Sequence, residues 1–175
     1  MIGAGEPALP GISIGHNENI AFGLTIFAID QEDLYYYDID DKKPNQYRYK
    51  GQYEAISSIT EVILVRDQDP EIVKLEFTRH GPIIKRYKNR IYALRAAWLD
   101  EGMAHYFGSV EYMRSNNWRE FLAALNRWGA PAENQVYADK EGNIGYKPAG
   151  LFPKRIGYDG LLPVSYTHLT LPTKA

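Results

Sequence analysis

A chain of 175 residues with 45% hydrophobic content can bury a real core, as one domain or as a piece of a larger one. Its formal net charge of −2 gives no electrostatic case for nucleic acid or an anionic membrane, and no apolar run reaches membrane-spanning length. Cysteine is absent, which excludes a disulfide framework or a thiolate zinc site and leaves the compartment open. Fourteen tyrosines suit a β-rich chain with partly wet faces. Both ends read as cut. Gly3-Ala4-Gly5-Glu6-Pro7 is loop-like with no signal-peptide character, and residues 165–175 break from the preceding composition and are expected to be a non-native tail. That leaves residues 1–164 as the part to be folded.

The first elements read as a hairpin: Gly11 to Gly15 alternates as a strand, His16-Asn17-Glu18-Asn19 turns, and Ile20 to Ile26 returns. His16 can be read as a metal ligand, a base or a hydrogen-bonded turn residue. Asp30-Gln31-Glu32-Asp33 places two carboxylates three apart around a backbone carbonyl, a pattern that suits a hard cation such as calcium or simply a solvated acidic turn. Strands are then expected over Leu34–Ile39, Gln46–Tyr49, Ser57–Val65 and Ile72–Phe77, with Asp67-Gln68-Asp69-Pro70 as a hairpin loop. Thr78-Arg79-His80-Gly81-Pro82 reads as a sharp turn before Ile83-Ile84, with His80 structural. Ile91–Trp98 is apolar enough to be buried on both faces.

The period then changes. Tyr106, Phe107, Val110 and Met113 have helical spacing, as do Trp118, Phe121, Leu122, Leu125 and Trp128, with Asn116 as N-cap and Gly129 as stop. The last hairpin has Val136 and Ala138 on one face, Tyr137 on the other, the turn Asp139-Lys140-Glu141-Gly142-Asn143, and Ile144 and Tyr146 on the return. Asn134, at its mouth, either caps the Ala130-Pro131-Ala132 loop or has a chemical role. No Ser-His-Asp order, phosphate loop or His-x-x-x-His pair occurs. The physical pattern alone is α+β with a strand-rich first half.

Pro7 to Thr25 with its Gly15-His16-Asn17-Glu18-Asn19 core, Asp30 to Tyr35, Thr78 to Ile83, and Pro131 to Asp139 with Gly142 to Tyr146 resemble, in that order, segments of the penicillin acylase family of N-terminal-nucleophile amide hydrolases. Pro153-Lys154-Arg155 and Asp159 to Pro163 follow in order, so the resemblance covers roughly residues 7 to 163. It implies a partial αββα sandwich and hydrolysis of N-acyl amides of penicillin, acyl-homoserine lactone or lipopeptide type. In such enzymes the N-terminal Ser of a processed chain attacks the amide, its own amine acts as base, and water cleaves the acyl-enzyme. The resemblance assigns Asn134 and the Ile26 backbone N–H to the oxyanion hole, Arg155 to the active-site region and Ile14 to an aliphatic acyl-pocket wall. Asp30, Asp33 and the Glu32 carbonyl match a structural calcium turn, and no organic cofactor is implied.

The expected partners are a small N-acyl amide and the remainder of the same precursor, with neither nucleic acid nor membrane, in the periplasm or outside the cell after maturation of a zymogen. The nucleophilic Ser is expected upstream of Met1, so this stretch alone is expected to be inactive. Phe22 stands where many relatives carry Trp, and Ile26 where a smaller residue is common. Two rivals remain: a non-catalytic relative acting as a binding or scaffold domain, and a metal-dependent hydrolase using His16, Asp30 and Asp33.

Overall fold

The computed structural model describes residues 1–7, 10–102 and 108–165. In chain order the first strands are β1 (Ile2–Ala4), β2 (Ile14–His16), β3 (Ile20–Ile26), β4 (Glu32–Asp38), β5 (Gln46–Tyr49) and β6 (Gln52–Ala55). They are followed by β7 (Ser57–Ile63), β8 (Glu71–Thr78), β9 (Gly81–Tyr87) and β10 (Arg90–Ala96), then a 3₁₀ turn at Ala97–Leu99. The helices are α1 (Gly108–Tyr112) and α2 (Trp118–Leu125), and β11 (Glu133–Asp139), β12 (Ile144–Ala149) and β13 (Val164–Ser165) complete the chain. Two compact units result, Met1–Gln31 with Ala97–Pro153, and Glu32–Ala96 with Lys154–Ala175.

The first unit is built on an antiparallel sheet in the order β1-β2-β3-β11-β12. Alternation gives the sheet two unlike faces. Ile20, Phe22, Tyr137 and Ala149 point to one side, where Tyr112, Phe121, Leu125 and Trp128 cover them. The Phe22 and Tyr112 rings meet edge to face at 5.0 Å, and burying each such side chain contributes about 1.5–3 kcal/mol. Val136, Ile144 and Tyr146 occupy the opposite, exposed face. The Trp118 ring lies over Gly145, where an added Cβ would come within 2.5 Å of the indole, so only glycine lets helix and strand approach this closely.

In the second unit the sheet order is β13-β4-β10-β9-β8-β7, with β13 joining β4 in parallel, and β5 and β6 form a separate hairpin. Asp33, Tyr35 and Tyr37 alternate inward along β4, and the core is Tyr35, Tyr37, Tyr47, Ile91 and Ala93. Gly81, at φ +138°, opens β9 so close to β10 that a Cβ would collide with the Leu94 carbonyl.

Several expectations need correction. The N-cap of α2 is Asn117, whose Oδ1 accepts from the Glu120 N–H at 3.0 Å; Asn116 instead donates its own N–H to Glu120 Oε2 at 2.8 Å. Together they form a capping box shifted by one residue. Helix α2 ends at Leu125, short of Gly129. Strand β10 stops at Ala96 and buries Ile91, Ala93 and Ala96 while its other positions stay partly open, because Tyr92 and Arg95 need a wetter side. Strands β1, β6 and β13 occur in addition to the expected ones. Tyr106, Phe107 and the tail from residue 166 onward lie outside the described residues.

Candidate functional site

Asn134 sits on β11 opposite Thr25 of β3. Its Nδ2 donates to Thr25 Oγ1 at 3.1 Å and to the Ile26 carbonyl at 3.0 Å, and its Oδ1 accepts from the Tyr146 hydroxyl at 2.6 Å. None of these partners belongs to the Ala130-Pro131-Ala132 loop, so the loop-cap reading gives way to a side chain tied across three strands. The Phe27 N–H donates to the Ala132 carbonyl at 3.1 Å, continuing the register in which Ile26 faces Glu133. Hydrogen bonding alternates along an antiparallel pair, so the Ile26 N–H points away from β11. On that side β2 pairs only with Ala21 and Phe22. The Asn134 amide and the Ile26 peptide thus meet at the end of β3, where the sheet narrows.

Beside them the exposed face is apolar. A Cβ placed on Gly23 would lie 3.6 Å from Val136 Cγ2 and 3.7 Å from Ile14 Cγ2, so these two side chains flank a bare stretch of β3. A shallow depression of about 360 Å³ lies here, lined by Ala21, Phe22, Gly23, Val136, Tyr137 and Ala138. Ile14, expected as a pocket wall, is half exposed on its border, and the Ile26 side chain projects into solvent.

Arg155 belongs to the second unit. Its Nε donates to Asp33 Oδ1 at 2.8 Å and its Nη2 to the Glu32 carbonyl at 3.0 Å. The Asp33 carboxylate is almost wholly buried, its second oxygen accepts from Tyr158 at 3.2 Å, and Tyr158 in turn meets the Tyr35 hydroxyl at 2.9 Å. Burial raises the Tyr35 and Tyr158 hydroxyls above their ordinary range, so both stay protonated and able to donate. Gly160 leaves room for the guanidinium, because a Cβ there would come within 2.6 Å of Arg155 Nε. The structure therefore brings together three of the predicted residues, Arg155, Asp33 and the Glu32 carbonyl, as a buried ion-pair network. Asp30 falls in the first unit. Among the described residues no group of three or more His, Cys, Asp or Glu side chains is placed to hold a metal ion.

His16 is exposed, its Nδ1 3.2 Å from the Asn17 carbonyl. His80 packs edge-on to Tyr35 and stacks with Tyr37, whose hydroxyl bonds its Nδ1, a partner that local sequence could not supply. Burial, with the nearby Arg79 and Arg95 charges, pushes its pKa down to about 4, so the ring is neutral at pH 7. Two residues in the signature motifs prove to be turn-builders. Asn17 Oδ1 accepts from the Asn19 and Ile20 N–H groups at 2.8 and 2.9 Å, while its Nδ2 donates to the Met113 and Ser115 carbonyls. Asp139 Oδ1 accepts from the Glu141 and Asn143 N–H groups at 3.0 and 2.9 Å. The sequence alone assigns no role to Tyr146, Tyr158, Glu133 or Gln135, and for the last two only the inward phase shared with Tyr137 carries a signal.

The family model described as penicillin amidase matches residues 1–168. The chain belongs to that family. It is 32% identical to the penicillin G acylase of Escherichia coli over 163 residues, which is 91% of this chain and 19% of that protein. To the acyl-homoserine lactone acylase QuiP of Pseudomonas fluorescens it is 28% identical over 174 residues, 92% of this chain and 20% of that one. A solved structure, the thermostable penicillin G acylase from Alcaligenes faecalis, superposes with a TM-score of 0.84 at 26% identity, over 92% of this chain and 30% of the other. The α+β expectation agrees with this match. The chain thus spans about a fifth of the length of the curated penicillin amidase relatives it matches.

Proposed function

We propose that this chain supplies the oxyanion-binding segment of an enzyme that hydrolyses N-acyl amides through an acyl-enzyme. In this reading a nucleophile carried elsewhere in the full-length protein, an N-terminal Ser with its own amine as base, attacks the amide carbonyl. Negative charge then grows on the carbonyl oxygen. Asn134 Nδ2 and the Ile26 N–H are the two donors that receive it. Both Asn134 amide hydrogens are engaged in the resting arrangement, and the oxyanion takes one of them by exchange, most readily the one held by the Thr25 hydroxyl. Arg155 neutralises Asp33 and fixes the loop that follows β12. The Ile14–Gly23–Val136 strip is the apolar surface along which the acyl chain lies, which suits an aliphatic or aryl acyl group of the penicillin, acyl-homoserine lactone or lipopeptide type.

The observation that carries this reading is Asn134 Nδ2 held at 3.0 Å from the Ile26 carbonyl, with the N–H of the same residue on the side of β3 that β11 does not cover. Calcium binding belongs to the same reading: Asp30, Asp33 and the Glu32 carbonyl are oxygen donors within four residues, and Asp33 keeps lone pairs beyond those used by Arg155 and Tyr158. Calcium takes roughly six to eight oxygens, so other parts of the protein complete that shell. Maturation from a precursor outside the cytoplasm completes the picture. The test is Asn134→Ala in the full-length protein, assayed with an N-acyl p-nitroaniline. The turnover number falls about 100-fold or more with KM little changed, and unchanged turnover in a folded variant refutes the oxyanion role.

A further inference from the structure

A carboxamide has a donor end and an acceptor end that are nearly the same size, so an asparagine that must donate at a given point needs something to hold it the right way round. Here the Ile26 carbonyl at 3.0 Å accepts from the nitrogen end, and a flipped amide would set oxygen against oxygen. The other end is met by Tyr146, whose hydroxyl donates to Asn134 Oδ1 at 2.6 Å. The contact follows from register: Asn134 faces Pro148 and Val136 faces Tyr146 across the β11–β12 ladder, so Asn134 and Tyr146 are diagonal neighbours on one sheet face. The Tyr146 ring is 57% exposed and adds nothing to the helix-covered core, so its hydroxyl contact with Asn134 is the main thing it does within this unit.

We infer that Tyr146 is a positioning residue for the oxyanion amide. It holds Oδ1, restricts the Asn134 side chain to the rotamer that aims Nδ2 at the Ile26 end of β3, and polarises the amide so that its N–H groups donate more strongly. Accepting one hydrogen bond at the oxygen draws electron density from the nitrogen, and the gain is largest when the carbonyl oxygen of a substrate becomes an oxyanion. Tyr146 touches no reacting atom and acts only through Asn134. The inference rests on the oxyanion reading of Asn134 given above.

The experiment is a double-mutant cycle in the full-length protein with Tyr146→Phe, Asn134→Ala and the pair, using an N-acyl p-nitroaniline. Tyr146→Phe removes one oxygen and keeps the ring, and an unchanged circular dichroism spectrum and melting temperature mark the variant as folded. Turnover is expected to fall about tenfold with KM within about twofold, because the lost interaction matters in the transition state. In the Asn134→Ala background the same change has no further effect, which an unspecific structural role for the ring would not produce. Full turnover in Tyr146→Phe, or losses that simply multiply in the pair, overturns the positioning role and leaves the oxyanion reading standing. An Asn134→Ala variant that retains full turnover overturns both, so the two failures are told apart.

Discussion

Glu133 offers the sharpest test of the energetics beneath the candidate site. It lies on β11 between Ile26 and Ala149, is 6% exposed, and its Oε2 has no hydrogen-bond partner among the described residues. Burial, reinforced by the charge of Glu6, pushes its pKa up to about 7 from an ordinary 4.5. Between those values the unfolded chain is ionised while the folded one still carries the proton, so unfolding releases a proton and rising pH favours it. Stability contributed by the neutral carboxyl is therefore full below about pH 4.5, declines through about pH 7 and is flat above, a total on the order of 3 kcal/mol. Glu133→Gln keeps the shape and removes the ionisation. Trp98, Trp118 and Trp128 all fall in the unit that contains Glu133, so tryptophan fluorescence in urea reports on that unit alone. The expected result is a wild-type midpoint that drops from pH 4.5 to 7.5 and a Glu133→Gln midpoint that drops much less. Identical slopes in the two proteins would refute the buried neutral carboxyl.

Three further expectations follow from the same structure. Gln135 is fully buried, and among the described residues neither amide atom has a hydrogen-bond partner, so Gln135→Met, similar in shape, should stabilise the first unit by about 1–3 kcal/mol in urea unfolding; a loss of stability would mean the amide has a partner. Arg155→Met leaves Asp33 buried and uncompensated and should cost the second unit about 3–5 kcal/mol by circular dichroism, with Asp33→Asn on top recovering part. A single variant that unfolds like wild type would show that the pair is not buried in solution. Calcium should raise the melting temperature of the full-length protein, reversibly with a chelator, and Asp30→Asn should weaken the shift; an unchanged melting temperature would count against the turn as a calcium site.

Local periodicity made most strands legible, because Ile20-Phe22, Asp33-Tyr35-Tyr37 and Val136-Ala138 alternate in step with burial. What it could not show was pairing at a distance. Strand β13 is two residues long and exists only because Tyr35 and Tyr36 offer an edge, and β6 is the polar run Gln52-Tyr53-Glu54-Ala55 drawn into pairing by β5. The candidate site divides in the same way. Resemblance to family motifs points to Asn134, Ile26, Asp33 and Arg155, whereas the Thr25 partner lies 109 residues away and Tyr146 depends on hairpin register. The carboxylates of the Asp30–Asp33 turn suit a cation site and a solvated acidic turn equally well. That Arg155 and Tyr158 engage Asp33 could be known only once residues 122 and 125 positions away were seen to return to it.

Strand β11 also bears on how the gene can vary. Its outward positions hold Asn134 and Val136, and its inward ones Glu133, Gln135 and Tyr137. Deleting one codon between Pro131 and Glu133 would exchange the two sets and bring the Gln135 carboxamide to the place opposite Thr25. The chemistry would look nearly preserved, yet Tyr137 would leave its contacts with Trp118 and Phe121 for water, at a cost of about 2 kcal/mol or more. Apolar rings on the hidden side therefore forbid a frame that the polar side alone would tolerate, and insertions or deletions in this family member should be confined to the loop before Pro131 and the turn after Asp139.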